Sequence, residues 1–516
     1  MTSQKNESYP VIDLFAGPGG LGEGFSSLKR SDGTSIFHDA ISIEKDPFSH
    51  QTLLLRHFFR SFEKKVPEDY YHYLGGKITQ EILYKRHPKN YSKAQQTALL
   101  ATLGEENSHE TIKNKITSQL KNRNKWVLVG GPPCQAYSIV GRSRRASDKN
   151  FEADDRHFLY REYLKILADH LPPVFVMENV KGLLSAKIAG KKLITQIISD
   201  LSHPRLALSQ ESGGTGYKLY SLTTPAKEMA DQIEPQMFVV KAEEYGVPQA
   251  RHRMFIVGIR DDINEQPHQL QPEVPPTIKD IIGNMPKLRS GLSKGEDSAE
   301  NWQNAIQKVV NNELKNHIIS TTNSQKDIAL LSSYFMDKLP RPQARSSARY
   351  TYNENAKHPV MRYIMDNRLK TLTSHETRGH IPEDLHRYFF ASLFSMANKR
   401  SPKMCDFPHA LLPAHKNVEK AKAGKMFADR FRVQLANRVA TTVTSHISKD
   451  GHYYIHYDPL QCRSLTVREA ARLQTFPDNY KFEGPRTAQY HQIGNAVPPY
   501  LANQIAKIIA KVLASI

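Results

Sequence analysis

The chain has 516 residues, 71 Lys and Arg against 52 Asp and Glu, a formal net charge of +19 and an isoelectric point near 9.5. Its mean hydropathy is −0.55, and it has no uninterrupted apolar run near the roughly 18 residues a spanning helix requires, which argues against a membrane-embedded chain and leaves room for two or three domains. Cys134, Cys405 and Cys462 stand far apart with no CxxC pair, a pattern of neither a disulfide framework nor a zinc site. The polar residues 1–10 lead into an apolar stretch too short for a signal-peptide core, so the protein is expected to be intracellular. The basic surplus favours a polyanionic partner, although charge alone does not separate nucleic acid from a basic surface.

In chain order, short apolar runs at residues 11–15, 40–44, 126–130 and 174–178, with 255–259 further on, read as buried parallel strands. Residues 157–168 carry Phe158, Leu159, Tyr163, Leu164 and Leu167 at near-helical spacing. They stop before Pro172-Pro173, as a crossover helix of a βαβ unit does. From about 59 to 125 the alternation lapses into a Lys-, Gln- and Asn-rich stretch, read as a helical surface insertion. The Gln- and Pro-rich run 266–276 reads as a linker, which places a domain boundary near Asp261. Beyond it a long basic region lacks βαβ rhythm, and residues 453–457, after Asp450-Gly451, read as a strand following a turn. Leu501, Ile505, Ile508, Ile509, Val512 and Leu513 fit one face of a last helix.

Four strand ends carry residue types suited to chemistry. Residues 13–22 run from a strand through a glycine turn into a helix start; Gly17, Gly19 and Gly22 satisfy G-x-G-x-x-G, with Glu44 where a ribose-binding acid is expected. Alone, this turn allows NAD, FAD or S-adenosylmethionine, or a tight turn with no ligand. Gly130-Gly131-Pro132-Pro133 stiffens the approach to Cys134, and Gly141, Ser143 and Ser147 follow it, which suits a nucleophile under a closing loop as well as a buried structural thiol. Glu178-Asn179 tips the strand 174–177. Partial burial there would raise the acid's pKa until it could give a proton to a ring nitrogen, and a simple cap is the plainer role. Arg251 and Arg253 alternate onto one side of an extended chain, fit for a carbonyl, a phosphate or an ordinary salt bridge.

The ordered set resembles the DNA cytosine-5 methyltransferase family. Residues 13–20 are similar to its first cofactor motif, Glu44 to the second, 131–135 to the nucleophile motif, Glu178-Asn179-Val180 to the acid motif and Gln249 to Arg253 to the Gln-x-Arg-x-Arg motif. Residues 463–474 and 492–499 resemble its last two motifs. In the third motif an acid normally follows a glycine to contact the cofactor adenine. The nearest match here is Gly76-Lys77-Ile78-Thr79, which leaves that contact unassigned.

The resemblance implies an α/β fold: a Rossmann-like, mostly parallel and discontinuous S-adenosylmethionine-binding domain at 1–261, a target-recognition domain at 262–475 and a returning part at 476–516. It implies that Cys134 adds to C6 of a flipped-out cytosine, that Glu178 protonates N3, that Arg253 holds O2 with Arg251 nearby, and that Asn179 keeps the acid in place. The activated C5 then takes the methyl group, and loss of the C5 proton releases Cys134; no metal is required. Implied cofactor contacts are Phe15, Gly17, Gly19, Gly20, Glu44, Pro133, Leu159, Asn495 and Val497. Arg142, Arg144, Arg145 and Lys149 are placed to cover the duplex or to form a solvated loop. Candidates for base reading are residues 441–446 and Arg378, His380, Arg387 and Tyr388, with scaffold the alternative for both. The implied partner is double-stranded DNA, bound by a monomeric, nucleoid-associated bacterial cytoplasmic enzyme; whether a cognate restriction endonuclease acts on the same site is left open. A tRNA cytosine-5 methyltransferase and a catalytically inactive DNA-binding module are the competing readings.

Overall fold

The structure is a computed structural model that describes residues 7–62, 65–105, 108–133, 156–188, 191–208, 214–229, 233–308, 312–320, 334, 340–354, 356–414, 418, 422–424 and 428–516. It divides into two compact units, one of Met1–Tyr70, Thr79–Val274 and Ala496–Ile516, the other of Tyr71–Ile78 and Pro275–Asn495. Among the described residues no helix is long and apolar enough to cross a membrane.

The first unit is built on an eight-stranded sheet. Strands β1 (Tyr9–Leu14), β2 (Phe37–Glu44), β3 (Ala98–Leu100), β4 (Val127–Gly130) and β5 (Val174–Val180) run parallel in the order β3-β2-β1-β4-β5. β6 (Tyr217–Tyr220), β7 (Val239–Lys241) and β8 (His252–Arg260) finish it, with β8 antiparallel to β5, β6 and β7. The parallel strands are apolar along their length because both faces are covered. Ile12, Leu14, Leu128 and Met177 share one core with Leu159, Tyr163 and Leu167 of helix Arg156–His170 and with Ile112 and Ile116 of helix Ser108–Leu120. Helix Gly20–Ser26 packs instead against the last helix, Pro499–Ser515, so closely that a Cβ on Gly24 would stand 2.3 Å from the Ala502 Cβ. Asn503 Nδ2 ties the pair by donating to the Gly24 carbonyl at 3.1 Å. The chain's end thus returns to the element that follows its first strand.

Four expectations are corrected. The strand at 255–259 is antiparallel: it follows β7 through residues 242–251, which hold a 3₁₀ turn and no crossover helix, and a run buried on both faces looks the same in either direction. The stretch 59–125 is helical but not merely an insertion, because it contributes β3 to the sheet edge, and its residues 71–78 group with the second unit. Residues 453–457 form no strand; Gly451 at φ 77° opens the 3₁₀ turn His452–Tyr454, and only Ile455 bridges to Val433 and Ser464. Residues 476–495 group with the second unit, where Arg468 donates to the Tyr480 carbonyl at 2.7 Å and Tyr490 to that of Leu465 at 2.6 Å.

The second unit centres on helix Pro382–Asn398, whose Tyr388, Phe389, Phe390 and Phe394 pack with Trp302, Phe407 and Phe431. Residues 463–474 form a buried polar frame within it. Arg463 grips Glu469 through two bonds of 2.7 Å, Thr466 and Glu469 make a reciprocal cap for helix Val467–Leu473, and Arg472 holds Asp478 at 2.8 and 2.9 Å. Burial pushes the Glu469 carboxyl up, but Arg463 outweighs it and holds the group well below the usual carboxylate range. Glu469→Ala strands the buried Arg463 guanidinium, so a loss of about 3–5 kcal/mol is expected, read as a lower urea midpoint.

Candidate active site

Across β1, β4 and β5, Leu14, Gly130 and Met177 lie side by side, so the three chains leave the sheet at one edge. At about 4.8 Å per strand, the turn after β1 and the acid at the end of β5 are about 10 Å apart. Open α/β sheets hold their ligands at this edge.

After β1 the backbone turns through left-handed conformations at Phe15 (φ 58°), Gly17 (φ 57°) and Gly19 (φ 92°), the last serving as cap of helix Gly20–Ser26. Phe15 is held there against its preference, since Ala16 N–H donates to the Ile43 carbonyl at 2.9 Å and Gly19 N–H to that of Ala16 at 2.9 Å. Glu44, the last residue of β2, accepts from Gly17 N–H at 2.8 Å and from Asp46 N–H at 2.7 Å. Burial raises its pKa, while those two N–H groups pull the other way. Among the described residues beyond its chain neighbours, nothing lies within 4 Å of the place a Cβ on Gly17 would take, whereas one on Gly20 would stand 2.3 Å from the Val497 carbonyl oxygen. The turn is therefore open on one side and braced on the other.

After β4 the chain passes Gly131 and the buried Pro132 to the half-buried Pro133. Glu178, next in register to β8 at Phe255, accepts from Arg253 Nε at 3.0 Å. Burial raises its pKa, and Arg253 and then Arg251 oppose the rise. The Glu178 Oε2 would lie 2.7 Å from a Cβ on Gly131, so the bare glycine makes room for the acid. Asn179 donates from Nδ2 to the Pro132 carbonyl at 3.4 Å and accepts from Val180 N–H at 2.7 Å, which fastens the acid's strand to the loop. Gly131→Ala pushes against the movable end of Glu178, not against backbone. Methyl transfer is expected to fall about 10–100-fold with stability changed by less than about 1 kcal/mol, as kcat and melting measurements will show.

The structure thus brings Glu178, Asn179, Arg251, Arg253 and Pro133 to one place, and Phe15, Gly17, Gly19, Gly20, Glu44 and Val497 to another on the same edge. Arg251 is buried, and Leu159 is sealed in the sheet's core. Asn495 is exposed, ends helix Arg486–Asn495 and groups with the second unit. Cys134 and Arg142, Arg144, Arg145 and Lys149 lie outside the described residues. Residues 76–79 do not follow β3, which ends at Leu100.

Several of the base-reading candidates bond within the second unit, while His446 is exposed. Tyr388 is buried with its hydroxyl 2.8 Å from His452 Nδ1, His380 is buried beside it, and Arg387 donates to Asp384 and to the Leu411 carbonyl at 2.8 Å each. Arg378 donates to the carbonyls of Ile447 and Lys449, Thr441 bonds Gln434, and Thr444 bonds Tyr454. Sequence reasoning missed the buried carboxyls Asp13, Glu23 and Asp39 beneath the glycine turn; a strand or helix of mixed polarity carries no sign of what its neighbours hold. Among the described residues no cluster suited to a metal ion occurs.

A model of the C-5 cytosine-specific DNA methylase family matches residues 89–511. The chain belongs to that family. It is a DNA cytosine-5 methyltransferase, with the Rossmann-like fold of such enzymes. The methylase is 32% identical to type II methyltransferase M.Bpa9945I of Bacillus paralicheniformis over 98% of this chain and 99% of that one. It is 24% identical to type II methyltransferase M1.HphI of Haemophilus parahaemolyticus over 98% and 87%. Among solved structures, an E. coli prophage-encoded protein described as a DNA modification methyltransferase matches with a TM-score of 0.54 at 18% identity, covering 98% of this chain and 100% of that one, a likeness of fold.

Proposed function

We propose that this methylase transfers a methyl group from S-adenosylmethionine to C5 of a cytosine flipped out of duplex DNA, through a covalent bond from Cys134 to C6. The observation that carries the reading is Glu178, half-buried and held by Arg253 against Gly131, three residues before the thiol and on the sheet edge that bears the glycine turn.

The turn fits the methyl donor. No described residue fills the space beyond Gly17, which leaves the backbone there open to a ligand, and each Glu44 oxygen keeps a lone pair for a ribose hydroxyl after its bond to an N–H group. Phe15, Gly19, Gly20, Pro133, Asn495 and Val497 complete the proposed contacts, with Leu159 supporting them from the core. When bound, S-adenosylmethionine supplies an electrophilic methyl group.

The chain's own residues do the rest. Cys134 adds to C6, which makes C5 nucleophilic. Glu178, whose pKa burial raises, gives its proton or a hydrogen bond to N3 and so spreads the charge that the addition creates. Arg253, which bonds Glu178, would hold O2, Arg251 adds positive charge near the acid, and Asn179 fixes the acid's strand. Extrusion of the base costs a few kcal/mol, recovered in the pocket and along the strand. The second unit is assigned to target recognition, and the enzyme is taken as monomeric. Its type II relatives support a role as the modification partner of a restriction endonuclease acting on the same site in a bacterial cytoplasm.

The test is a base-resolution map of 5-methylcytosine in the DNA of a methylation-free bacterial host expressing the protein or its Cys134→Ser variant. One methylated sequence motif, present only with the intact cysteine, is expected. Unmodified DNA alongside methylated tRNA would overturn the choice of substrate, and DNA binding with no methylation of either would favour the inactive module.

A further inference from the structure

Beneath the glycine turn the first unit buries more carboxyls than guanidiniums. Asp13 of β1, Asp39 of β2 and Glu23 of helix Gly20–Ser26 face Arg56 and Arg60 of helix Pro47–Arg60. Both arginines are committed to Glu23: Arg56 approaches its two oxygens at 2.6 and 2.7 Å, and Arg60 Nε lies 3.2 Å from Oε2. Asp39 Oδ1 and Asp13 Oδ2 converge elsewhere, at 3.0 and 3.3 Å from the point a Cβ on Gly22 would occupy. The second Asp39 oxygen is 3.5 Å from His57 Nδ1, and His57 Nε2 is 3.0 Å from Ser42 Oγ. Glu44 at the end of β2, Lys29 beyond the first helix and Tyr163 from helix Arg156–His170 are the other titratable groups acting on this cluster. Three carboxylates against two guanidiniums leave one negative charge uncompensated in the protein interior, where an unpaired charge is costly.

We propose that Asp13 and Asp39 share one proton at neutral pH, and that this proton keeps the glycine turn in the shape that holds the methyl donor. Its loss at alkaline pH leaves a buried anion under Gly22 and weakens donor binding. The proposal rests on the reading of this turn as the S-adenosylmethionine site. Burial, with Asp39 next in effect, pushes the Asp13 carboxyl well above the usual range; burial and then Glu23 push Asp39 up to about 7. His57 is driven down to about 3 by burial, so the imidazole does not take the proton. A carboxyl raised in the folded state binds a proton that the unfolded chain has lost. The stability it contributes is therefore present at low pH and disappears as pH rises through the raised value.

The experiment uses the full chain. An infrared difference spectrum between the wild type and Asp13→Asn at about pH 7.5 is expected to show the C=O stretch of an unionised carboxyl. Calorimetry with S-adenosylhomocysteine is expected to show affinity falling at least about tenfold, one pKa unit's worth, between about pH 7.5 and about pH 9.5. In Asp39→Asn, where Asp13 alone balances the cluster, the fall is absent; if that variant does not fold, Asp13→Asn serves in its place. Absence of the carboxyl band, or an undiminished alkaline fall in the folded variants, overturns the shared proton. Failure of the folded wild type to bind S-adenosylhomocysteine at any pH, with the band present, instead overturns the donor-site reading and with it the proposed effect on binding.

Discussion

Wild-type protein is expected to become trapped on duplex DNA carrying 5-fluorocytosine at its target, and Cys134→Ser to lower methyl transfer by at least about 10³-fold with no trapping. Addition of the thiolate to C6 and methylation at C5 leave an adduct that resolves only when the C5 substituent departs as a proton. Fluorine does not leave that way, so the bond between sulfur and C6 persists. The approach to Cys134 supports the reaction: Pro132 and Pro133 remove two backbone donors and fix the chain's direction, while Asn179 anchors the Pro132 carbonyl at 3.4 Å. A serine hydroxyl at neutral pH is a far weaker nucleophile than a thiolate. The measurement is a denaturation-resistant protein–DNA complex on a gel, with methylation of the natural substrate followed in parallel. Normal methylation without any such complex would rule out the covalent route. Equal melting temperatures for the wild type and Cys134→Ser will show that the loss is chemical.

How much of this was legible in the sequence depended on whether a signal was local. The glycine turn announced itself because Gly17 and Gly19 sit in left-handed backbone that ordinary residues avoid, though Phe15 beside them gave no such sign, and short apolar runs marked the strands β1, β2, β4 and β5. Glu178 and Arg253 were found as strand-end polar residues, and the structure joins them at 3.0 Å. Direction was not legible: β8 has the apolar texture of a parallel strand but runs antiparallel to β5. The three residues of β3 lacked the length to stand out from a polar stretch. The role of charged residues in the second unit was least legible: Arg387 and His380 suit either nucleic-acid reading or scaffold in sequence, and the structure buries both. Only the partners distinguish a cation that faces DNA from one that holds a carbonyl, and those partners are remote in sequence, as Arg378 with Ile447 shows.

Glu178→Gln separates the acid's two contributions. Glutamine keeps the volume and can donate a hydrogen bond, but it cannot transfer a proton to N3. A fall in kcat of about 10²–10⁴ is expected, the usual worth of a positioned general acid. Because burial raises the Glu178 pKa and Arg253 and Arg251 only partly oppose it, the active protonated form is lost as pH rises through the raised value. The wild-type profile of kcat/KM should therefore carry an alkaline limb that the variant lacks, apart from any fall shared through weaker donor binding. Measuring kcat with saturating donor and DNA distinguishes the two, since a turn that has lost affinity can still be filled. The sign is the same for folding: a carboxyl raised in the native state loses its stabilising contribution as pH rises from its ordinary value through the raised one, and glutamine removes that slope. Retention of full kcat by Glu178→Gln, with an unchanged alkaline limb, would remove Glu178 as the proton donor and leave it the lesser role of holding Arg253 in line.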